Sequence, residues 1–297
     1  MKIVIFGAGA IGSFFGGLLS KKNDVTLISR KPHVDAIKKD GLRISGKTNE
    51  TLKINAVTNV SFTPDLLIIT VKSYDTETAI KQASKIIGKN TVVLSLQNGL
   101  GNIENISKYV NSKNIIAGTT SHGVIFSKPG VINHTGYGDT LLGELDGKKT
   151  ERIKQIVKLF NNVKIKTNIS SNIFKEIWIK AIVNSSINPL TVIFQCKNGY
   201  LLKNPILEKL VERVCFESTN IAKSKGIDVS YNDIILKTKK IIRNTSENYS
   251  SMYQSFNKSG KTEIDSINGK LVEIGNKHKI SALINECLFY TVNNLEK

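Results

Sequence analysis

A glycine-rich turn near the N-terminus constrains the fold more than any other feature of the 297-residue chain. The segment Gly7-Ala8-Gly9-Ala10-Ile11-Gly12 follows a predicted buried strand at residues 2–6 and opens a predicted helix at residues 11–21. The first glycine of such a motif permits a tight turn, the second lets a pyrophosphate approach the backbone, and the third allows close helix–strand packing. The N–H groups at the helix start then bind the anion. The motif predicts a dinucleotide-binding domain, the alternative being a glycine-rich turn without a ligand.

The remaining pattern divides the chain into two predicted domains. Up to residue 167, short apolar runs alternate with helical patterns, as in a parallel sheet with crossover helices. Residues 122–143 are broken by glycine and proline, which suggests antiparallel strands at a sheet edge. Later, helical periodicity dominates: the first helix is predicted at residues 172–184, and a separate segment follows Pro189. We therefore predict an α/β domain at residues 1–167 and an all-α domain at residues 168–297.

The positive charge of the chain does not by itself identify a nucleic-acid partner. Lysine and arginine total 42 against 24 acidic residues, a net charge of +18, yet only five of the 42 are arginine. The lysines are spread along the whole length, and no arginine-rich arm or aromatic-interleaved motif accompanies them. We expect no nucleic-acid partner, and the excess charge would favour anionic small molecules.

Composition also argues against metal and membrane functions. The three cysteines and four histidines have no metal-ligand spacing, so neither a zinc site nor a disulfide framework is expected. No stretch approaches the roughly 18 apolar residues of a membrane span, and the first residues lack a signal-peptide pattern. We expect a cytoplasmic protein without a metal or a membrane partner. The sequence leaves the oligomeric state open, including a homodimer.

The end of the second predicted strand indicates which dinucleotide binds. NAD sites usually place Asp or Glu about 20 residues after the glycines, where the carboxylate binds the ribose 2′-hydroxyl. Here the strand ends in Ser29-Arg30-Lys31, without an acid. A guanidinium can bind a 2′-phosphate through paired hydrogen bonds, whereas a carboxylate would repel it. Arg30 therefore favours NADP, with a solvated basic turn as the alternative.

Two further polar residues follow later predicted strands. Lys72 comes after the strand at residues 66–71, and Asn98 comes after the strand at residues 92–96. Open α/β sheets bind their ligands at this edge, so Lys72 could face a phosphate or carboxylate and Asn98 could bond to ribose or nicotinamide. Each could equally be a capping or turn residue.

A polar stripe on an apolar helix is the strongest candidate for substrate chemistry. Lys180, Asn184 and Asn188 are spaced at i, i+4 and i+8, so they lie on one helix face. Their neighbours, which include Trp178 and Ile187, are apolar. Such a stripe is costly in hydrophobic surroundings unless a polar ligand satisfies it. A solvent-exposed stripe is the alternative.

The order of these motifs resembles that of the ketopantoate reductase (2-dehydropantoate 2-reductase) family. Beyond the glycine turn and the residues above, the likeness rests on Asn188-Pro189-Leu190-Thr191 and on Thr262-Glu263-Ile264-Asp265 with Asn268-Gly269. It covers nearly the whole chain. The resemblance implies a 6-phosphogluconate dehydrogenase-like architecture, in which an α/β Rossmann-type domain precedes an all-α domain. It also implies NADPH-dependent reduction of ketopantoate to pantoate for pantothenate and coenzyme A.

The resemblance implies roles for individual residues. The cofactor would be held by the segment from Gly7 to Gly12 and by Arg30, Lys72, Asn98, Gly123 and Glu263. Lys180 would be the catalytic acid with Glu263 beside it, and the substrate would contact Lys180, Asn184, Asn188, Asn198 and Ser251. Ser121 and His122 depart from the usual family pattern next to Gly123. Glu263 could instead be a helix N-terminal carboxylate, and Ser251 could be a simple loop residue.

Two other functions stay compatible with the sequence. A related enzyme could reduce another 2-keto acid with the same residues. A non-catalytic NADP sensor would bind the cofactor without turnover, although it would have no need of the Lys180 stripe or of Glu263.

Overall fold

The computed structural model describes residues 1–296, and the chain folds into two compact units. One unit comprises Met1–Gln97 and Asn102–Ile173, and the other comprises Asn98–Gly101 and Phe174–Lys297. The boundary expected between residues 167 and 168 falls within a short strand, Thr167–Ile169. Within residues 1–296, no helix combines the length and the apolar character that crossing a bilayer requires.

The first unit is built on strands that form two sheets. The strands are β1 Lys2–Phe6, β2 Asp24–Ile28, β3 Leu42–Gly46, β4 Glu50–Leu52, β5 Asn55–Val57, β6 Leu66–Ile69, β7 Val92–Ser95, β8 Ile115–Thr120, β9 Gly123–Lys128, β10 Val131–Gly136, β11 Thr140–Glu144 and β12 Thr167–Ile169. The larger sheet has eight strands in the order β12-β11-β8-β7-β6-β1-β2-β5. It is parallel except where β11 pairs with β8, which confirms the predicted α/β class.

Helices cover the strands of this unit. They are α1 Ala10–Leu19, α2 Lys31–Asp40, α3 Thr76–Ala83, α4 Asn102–Ser107 and α5 Glu151–Asn161. The central strands are apolar throughout because both sheet faces are covered, and Ile3, Ile5 and Ile68 are fully buried. Strand β1 lies between β2 and β6, so the strand order reverses there. Ligands of open α/β sheets bind at the carboxyl ends of the strands beside such a reversal.

The second sheet was not predicted. Residues 122–143 do contain antiparallel strands, but β9 and β10 belong to a separate four-stranded sheet in the order β4-β3-β10-β9. Only β11 pairs with the main sheet. The sequence analysis missed β3 and β4 because neither has a continuous apolar run: in β3, Leu42 and Ile44 are buried, while Arg43 between them is exposed. The pairing of β10 with β3 joins segments about 90 residues apart, which local patterns do not report.

The second unit is helical, as predicted. Its helices are α6 Ile173–Ile193, α7 Tyr200–Lys203, α8 Pro205–Ser224, α9 Tyr231–Asn244, α10 Ser251–Ser259, α11 Lys270–His278 and α12 Leu283–Leu295, with a π-helix at Asp265–Gly269. A core that includes Ile182, Val211 and Leu271 holds the helices together.

One prediction about these helices was wrong, and one of the alternatives left open by the sequence is excluded. Helix α6 does not end near residue 184 but runs through Pro189 to Ile193. The Ser185 carbonyl, which loses its helical donor to Pro189, accepts a 3.1 Å hydrogen bond from Asn268 Nδ2 instead. The Ser/Asn-rich run around residue 250 is not a plain loop but opens α10. Ser250 caps that helix, since its Oγ accepts a 3.1 Å hydrogen bond from the Tyr253 N–H.

Candidate active site

The glycine turn has the geometry that the motif predicts. Gly7 has a φ of +98°, a region that favours glycine. The N–H groups of Gly7 and Ala8 both donate to the Ile28 carbonyl, at 3.1 and 2.9 Å, so the turn is tied to the end of β2. A Cβ added to Gly12 would lie 2.5 Å from the Gly7 carbonyl oxygen. The first and third glycines are therefore required by the backbone itself.

Gly9 serves a different purpose. A Cβ added there would meet nothing closer than the Gly7 carbonyl oxygen at 4.0 Å, so local packing does not require a glycine. Gly9 is also the N-cap of α1 and, having no side chain, does not cap this helix end itself. The N–H groups at the start of α1, beginning at Ala10 and Ile11, therefore suit an anion that lies against Gly9.

The other predicted cofactor residues of this unit follow β2, β6 and β8. Arg30 is exposed and is the N-cap of α2, while Lys31 forms a 2.8 Å ion pair with Asp35. Lys72 lies three residues beyond β6, and Gly123 is the first residue of β9, shortly after β8. Parallel strands place such residues at the edge where the glycine turn also lies.

His122, beside Gly123, has unusual surroundings. Its ring lies among Phe14, Phe15 and His134, with centroid separations of 5.1, 6.1 and 5.6 Å. Both ring nitrogens are buried, and among the described residues neither has a hydrogen-bond partner. This burial lowers the pKa of His122 to about 4. The residue is therefore neutral at physiological pH and packs as an aromatic side chain.

In the second unit, α6 carries the polar stripe. Because α6 is continuous, Lys180, Asn184 and Asn188 occupy one helix face. Asn188 is buried, and Lys180 and Asn184 are half-buried. The stripe is therefore not a solvated helix face, which was the alternative.

The charge state of Lys180 depends on two opposing effects. Burial disfavours the ammonium group and lowers the pKa of Lys180 to about 8, while the nearby Glu263 carboxylate raises it. The result is a group that is mostly protonated at neutral pH yet releases its proton far more readily than an ordinary lysine.

Glu263 is buried and lies two residues before the π-helix, not at the start of an α-helix. The Asn98 Nδ2 donates to Glu263 Oε2 at 3.5 Å, within the same compact unit. The adjoining Thr262 is held by Glu296, whose Oε1 accepts from the Thr262 N–H and Oγ at 2.8 and 2.6 Å. The structure thus brings together Asn98, Glu263 and Lys180, which are far apart in sequence.

Asn198 has a buried acceptor that no protein group satisfies. Its Nδ2 donates to Thr245 Oγ1 at 2.9 Å, whereas Oδ1 has no partner among the described residues. A buried unpaired acceptor is costly, and a ligand hydroxyl would satisfy it. Ser251 is exposed at the first position of α10.

Sequence reasoning missed the pair that connects α10 to α6. Ser250 Oγ, the cap of α10, lies 2.7 Å from Thr191 Oγ1 in the last turns of α6. This hydrogen bond connects the N-terminus of α10, where Ser251 lies, to α6, the helix that carries the polar stripe. Thr191 lies in the quoted Asn188–Thr191 motif, but no local signal identifies its partner 59 residues away.

Comparisons with known proteins agree along the whole chain. The family model "Ketopantoate reductase PanE/ApbA" matches residues 3–147, and its C-terminal counterpart matches residues 172–296. A 2-dehydropantoate 2-reductase of Pyrococcus abyssi is 41% identical over 300 residues, covering 100% of this chain and 98% of the relative. One of Archaeoglobus fulgidus is 33% identical, covering 99% and 98%.

Solved structures also match this chain along its whole length. The PanE/ApbA family ketopantoate reductase from Ralstonia eutropha superposes with a TM-score of 0.93 at 29% identity, covering 100% of this chain and 98% of that one. A D-mandelate dehydrogenase in complex with NADH and anilino(oxo)acetate superposes with a TM-score of 0.95 at 30% identity and the same coverage.

Proposed function

The chain belongs to the ketopantoate reductase family, and we propose that it reduces ketopantoate to pantoate with NADPH as the reductant. The observation that carries this proposal is the placement of Lys180. It lies on one face of α6 with Asn184 and Asn188, beside Glu263, and has a pKa of about 8. A lysine with this pKa can donate a proton near neutrality, as reduction of a ketone requires.

The first unit has residues that fit NADPH. The open position at Gly9 and the N–H groups at the start of α1 suit the pyrophosphate, and Arg30 suits the 2′-phosphate. When bound, NADPH supplies the hydride that reduces the C2 carbonyl of the substrate. Lys72 and Gly123 would complete the contacts to the cofactor from the neighbouring strand ends.

Lys180 acts on the oxygen of the carbonyl that is reduced. Negative charge develops on this oxygen in the transition state, so a nearby ammonium group stabilises it and then protonates it. Glu263 keeps Lys180 protonated before the reaction by favouring the charged form. The Asn98 amide, bonded to Glu263 Oε2, restricts the orientation of that carboxylate.

The amide side chains and Ser251 bind the remainder of the substrate. Asn184 and Asn188 would bond to its oxygens without adding charge, and the unpaired Oδ1 of Asn198 would accept from its hydroxyl group. Ser251, at the first position of α10, would contact the carboxylate together with the N–H groups of that helix end. Each group thus matches one polar part of a hydroxylated 2-keto acid.

A second candidate substrate class is favoured by one comparison. The D-mandelate dehydrogenase that superposes so closely binds anilino(oxo)acetate, which is not ketopantoate. We therefore include reduction of another 2-keto acid on the same residues as the alternative function.

Steady-state oxidation of NADPH and of NADH, each with ketopantoate and with a panel of other 2-keto acids, tests the proposal. We expect the highest kcat/KM with ketopantoate and NADPH. A higher kcat/KM for another 2-keto acid would support the alternative, and cofactor binding without turnover of any 2-keto acid would overturn both.

A further inference from the structure

A proline interrupts the hydrogen bonding of α6 beside the proposed substrate residues. In an α-helix, the N–H of residue i donates to the carbonyl of residue i−4. Pro189 has no N–H, so the carbonyl of Ser185 lacks its helical donor. Ser185 is fully buried, and water cannot satisfy this carbonyl. Such a group must find another donor or destabilise the helix.

Asn268 supplies that donor. Its Nδ2 donates to the Ser185 carbonyl at 3.1 Å and to Asn285 Oδ1 at 3.0 Å. Both amide hydrogens are therefore used, and the Asn268 side chain is fully buried. The bond to Ser185 replaces the backbone hydrogen bond that Pro189 removes from α6.

Asn285 is itself held by a buried carboxylate, which makes the arrangement rigid. Glu217 Oε1 accepts from the Asn285 N–H at 2.8 Å and from Asn285 Nδ2 at 2.7 Å. Its Oε2 accepts from the Ile284 N–H at 3.0 Å, so the same carboxylate caps the start of α12. Helices α8, α12 and α6 are thereby connected through Asn268.

Asn268 belongs to the π-helix that follows Glu263. The Gly269 N–H donates to the Ile264 carbonyl at 3.0 Å, an i→i+5 bond that marks the π-helix. Glu263 lies five residues before Asn268, just as Lys180 lies five residues before Ser185. The segment 263–268 therefore contacts α6 in two ways. The charge of Glu263 raises the pKa of Lys180, and the Asn268 amide donates a hydrogen bond to the Ser185 carbonyl.

We propose that Asn268 is a positioning residue that replaces the backbone hydrogen bond removed by Pro189 and so holds Lys180, Asn184 and Asn188 of α6 in register with Glu263. Asn268 does not touch the reacting atoms. It acts through the Ser185 carbonyl, which lies between Asn184 and Asn188 on the chain. The kinetic part of this inference rests on the proposed function, whereas the hydrogen-bond part does not.

A double-mutant cycle between Asn268 and Pro189 tests the hydrogen-bond part without any assay of activity. Pro189→Ala restores an N–H that can donate to the Ser185 carbonyl, so it makes the Asn268 bond redundant. Asn268→Ala should lower the midpoint of denaturant unfolding strongly in the wild type and much less in the Pro189→Ala background. The cavity left by truncation is common to both backgrounds and cancels. Equal losses in the two backgrounds would overturn the proposal.

The same cycle still tests the hydrogen-bond part of the proposal if Asn268→Ala does not fold. The double variant is then compared with Pro189→Ala alone, because the loss of the proline ring changes stability equally in both. A small difference in unfolding midpoint between these two variants would support the proposal, since the Ser185 carbonyl has a helical donor in both. Failure of the double variant to fold while Pro189→Ala folds would show that the restored N–H does not replace Asn268, which overturns the proposal.

Kinetics distinguish positioning from general stability. With ketopantoate and NADPH, we expect Asn268→Ala to lower kcat roughly tenfold and to leave KM for NADPH within about twofold. The pH at which kcat falls should also move, because the spacing of Lys180 and Glu263 is no longer held. Val211→Ala, a truncation at a buried position of α8, is the control. It should destabilise the protein but leave kcat and its pH profile unchanged.

If Asn268→Ala and Val211→Ala behave alike in kcat and pH profile, Asn268 has no positioning role. If the wild type fails to reduce ketopantoate, the proposed function fails. The unfolding cycle still shows whether Asn268 replaces the hydrogen bond that Pro189 removes.

Discussion

The Glu263 carboxylate raises the pKa of Lys180 against the burial that lowers it, and the balance leaves that pKa at about 8. Neither effect alone would suit a proton donor at neutral pH. Burial alone would favour a neutral amine, which has no proton to give, whereas a carboxylate beside a solvated lysine would hold the proton too firmly. The pair would therefore set the pH range of the proposed proton transfer from Lys180.

Replacing Glu263 should shift the pH dependence of the reaction to lower pH. In the proposed mechanism Lys180 acts as the ammonium form, so kcat should fall as pH rises through the pKa of Lys180. Glu263→Gln removes the charge that raises this pKa, and the fall should then begin at a lower pH than in the wild type. Profiles of kcat between pH 6 and 9.5 measure the shift. An unchanged or higher midpoint would show that Glu263 does not act on Lys180.

Replacing Lys180 should abolish most turnover and leave cofactor binding intact. Lys180→Ala removes the proposed acid, and we expect kcat to fall by roughly 10²–10⁴-fold, the range typical of acid catalysis. Titration of the apoprotein with NADPH should give a similar Kd. Lys237→Ala, at an exposed position of α9, is the matched control and should retain full activity. A Lys180 variant with more than half of the wild-type kcat would exclude Lys180 from the mechanism.

Replacing Arg30 should reduce the preference for NADPH. Arg30→Ala loses the paired hydrogen bonds to the 2′-phosphate, so KM for NADPH should rise by about tenfold or more while KM for NADH changes little. Lys31→Ala is an informative control because Lys31 already pairs with Asp35 at 2.8 Å and should contribute less. Equal effects of Arg30→Ala on both cofactors would contradict the assignment.

His122 should make the protein sensitive to acid. Burial lowers its pKa from 6.5 to about 4, so the unfolded chain takes up a proton that the folded protein resists. The contribution of neutral His122 to the free energy of unfolding is therefore fully present above about pH 6.5, and it is lost as the pH falls towards 4. With allowance for solvent screening, His122 lowers the free energy of unfolding at pH 5 by about 1 kcal/mol relative to neutral pH.

His122→Phe keeps a ring among Phe14, Phe15 and His134 but cannot be protonated. The difference in Tm between pH 7.5 and pH 5 should therefore be smaller for this variant than for the wild type. If the two proteins lose the same Tm on acidification, His122 is not the group responsible.

Much of the fold can be predicted from the sequence because short-range patterns determine it. The strand at residues 2–6, the glycine turn and the helix after it form one local unit, and the structure has them where the pattern predicts. The spacing of Lys180, Asn184 and Asn188 likewise follows from helical periodicity alone. Other elements were missed: β3 and β4 have no continuous apolar run, and Pro189 wrongly indicated a break in α6.

The sequence by itself determined which chemical groups are present and which of them share a strand end or a helix face, because periodicity is a property of neighbouring residues. Only the tertiary structure decided which distant groups meet. It brought Glu263 to Lys180 and thereby set a pKa, and it brought Asn268 to a carbonyl 83 residues away. Electrostatic and hydrogen-bond energies depend on distances through space, and these distances are established only when the helices pack.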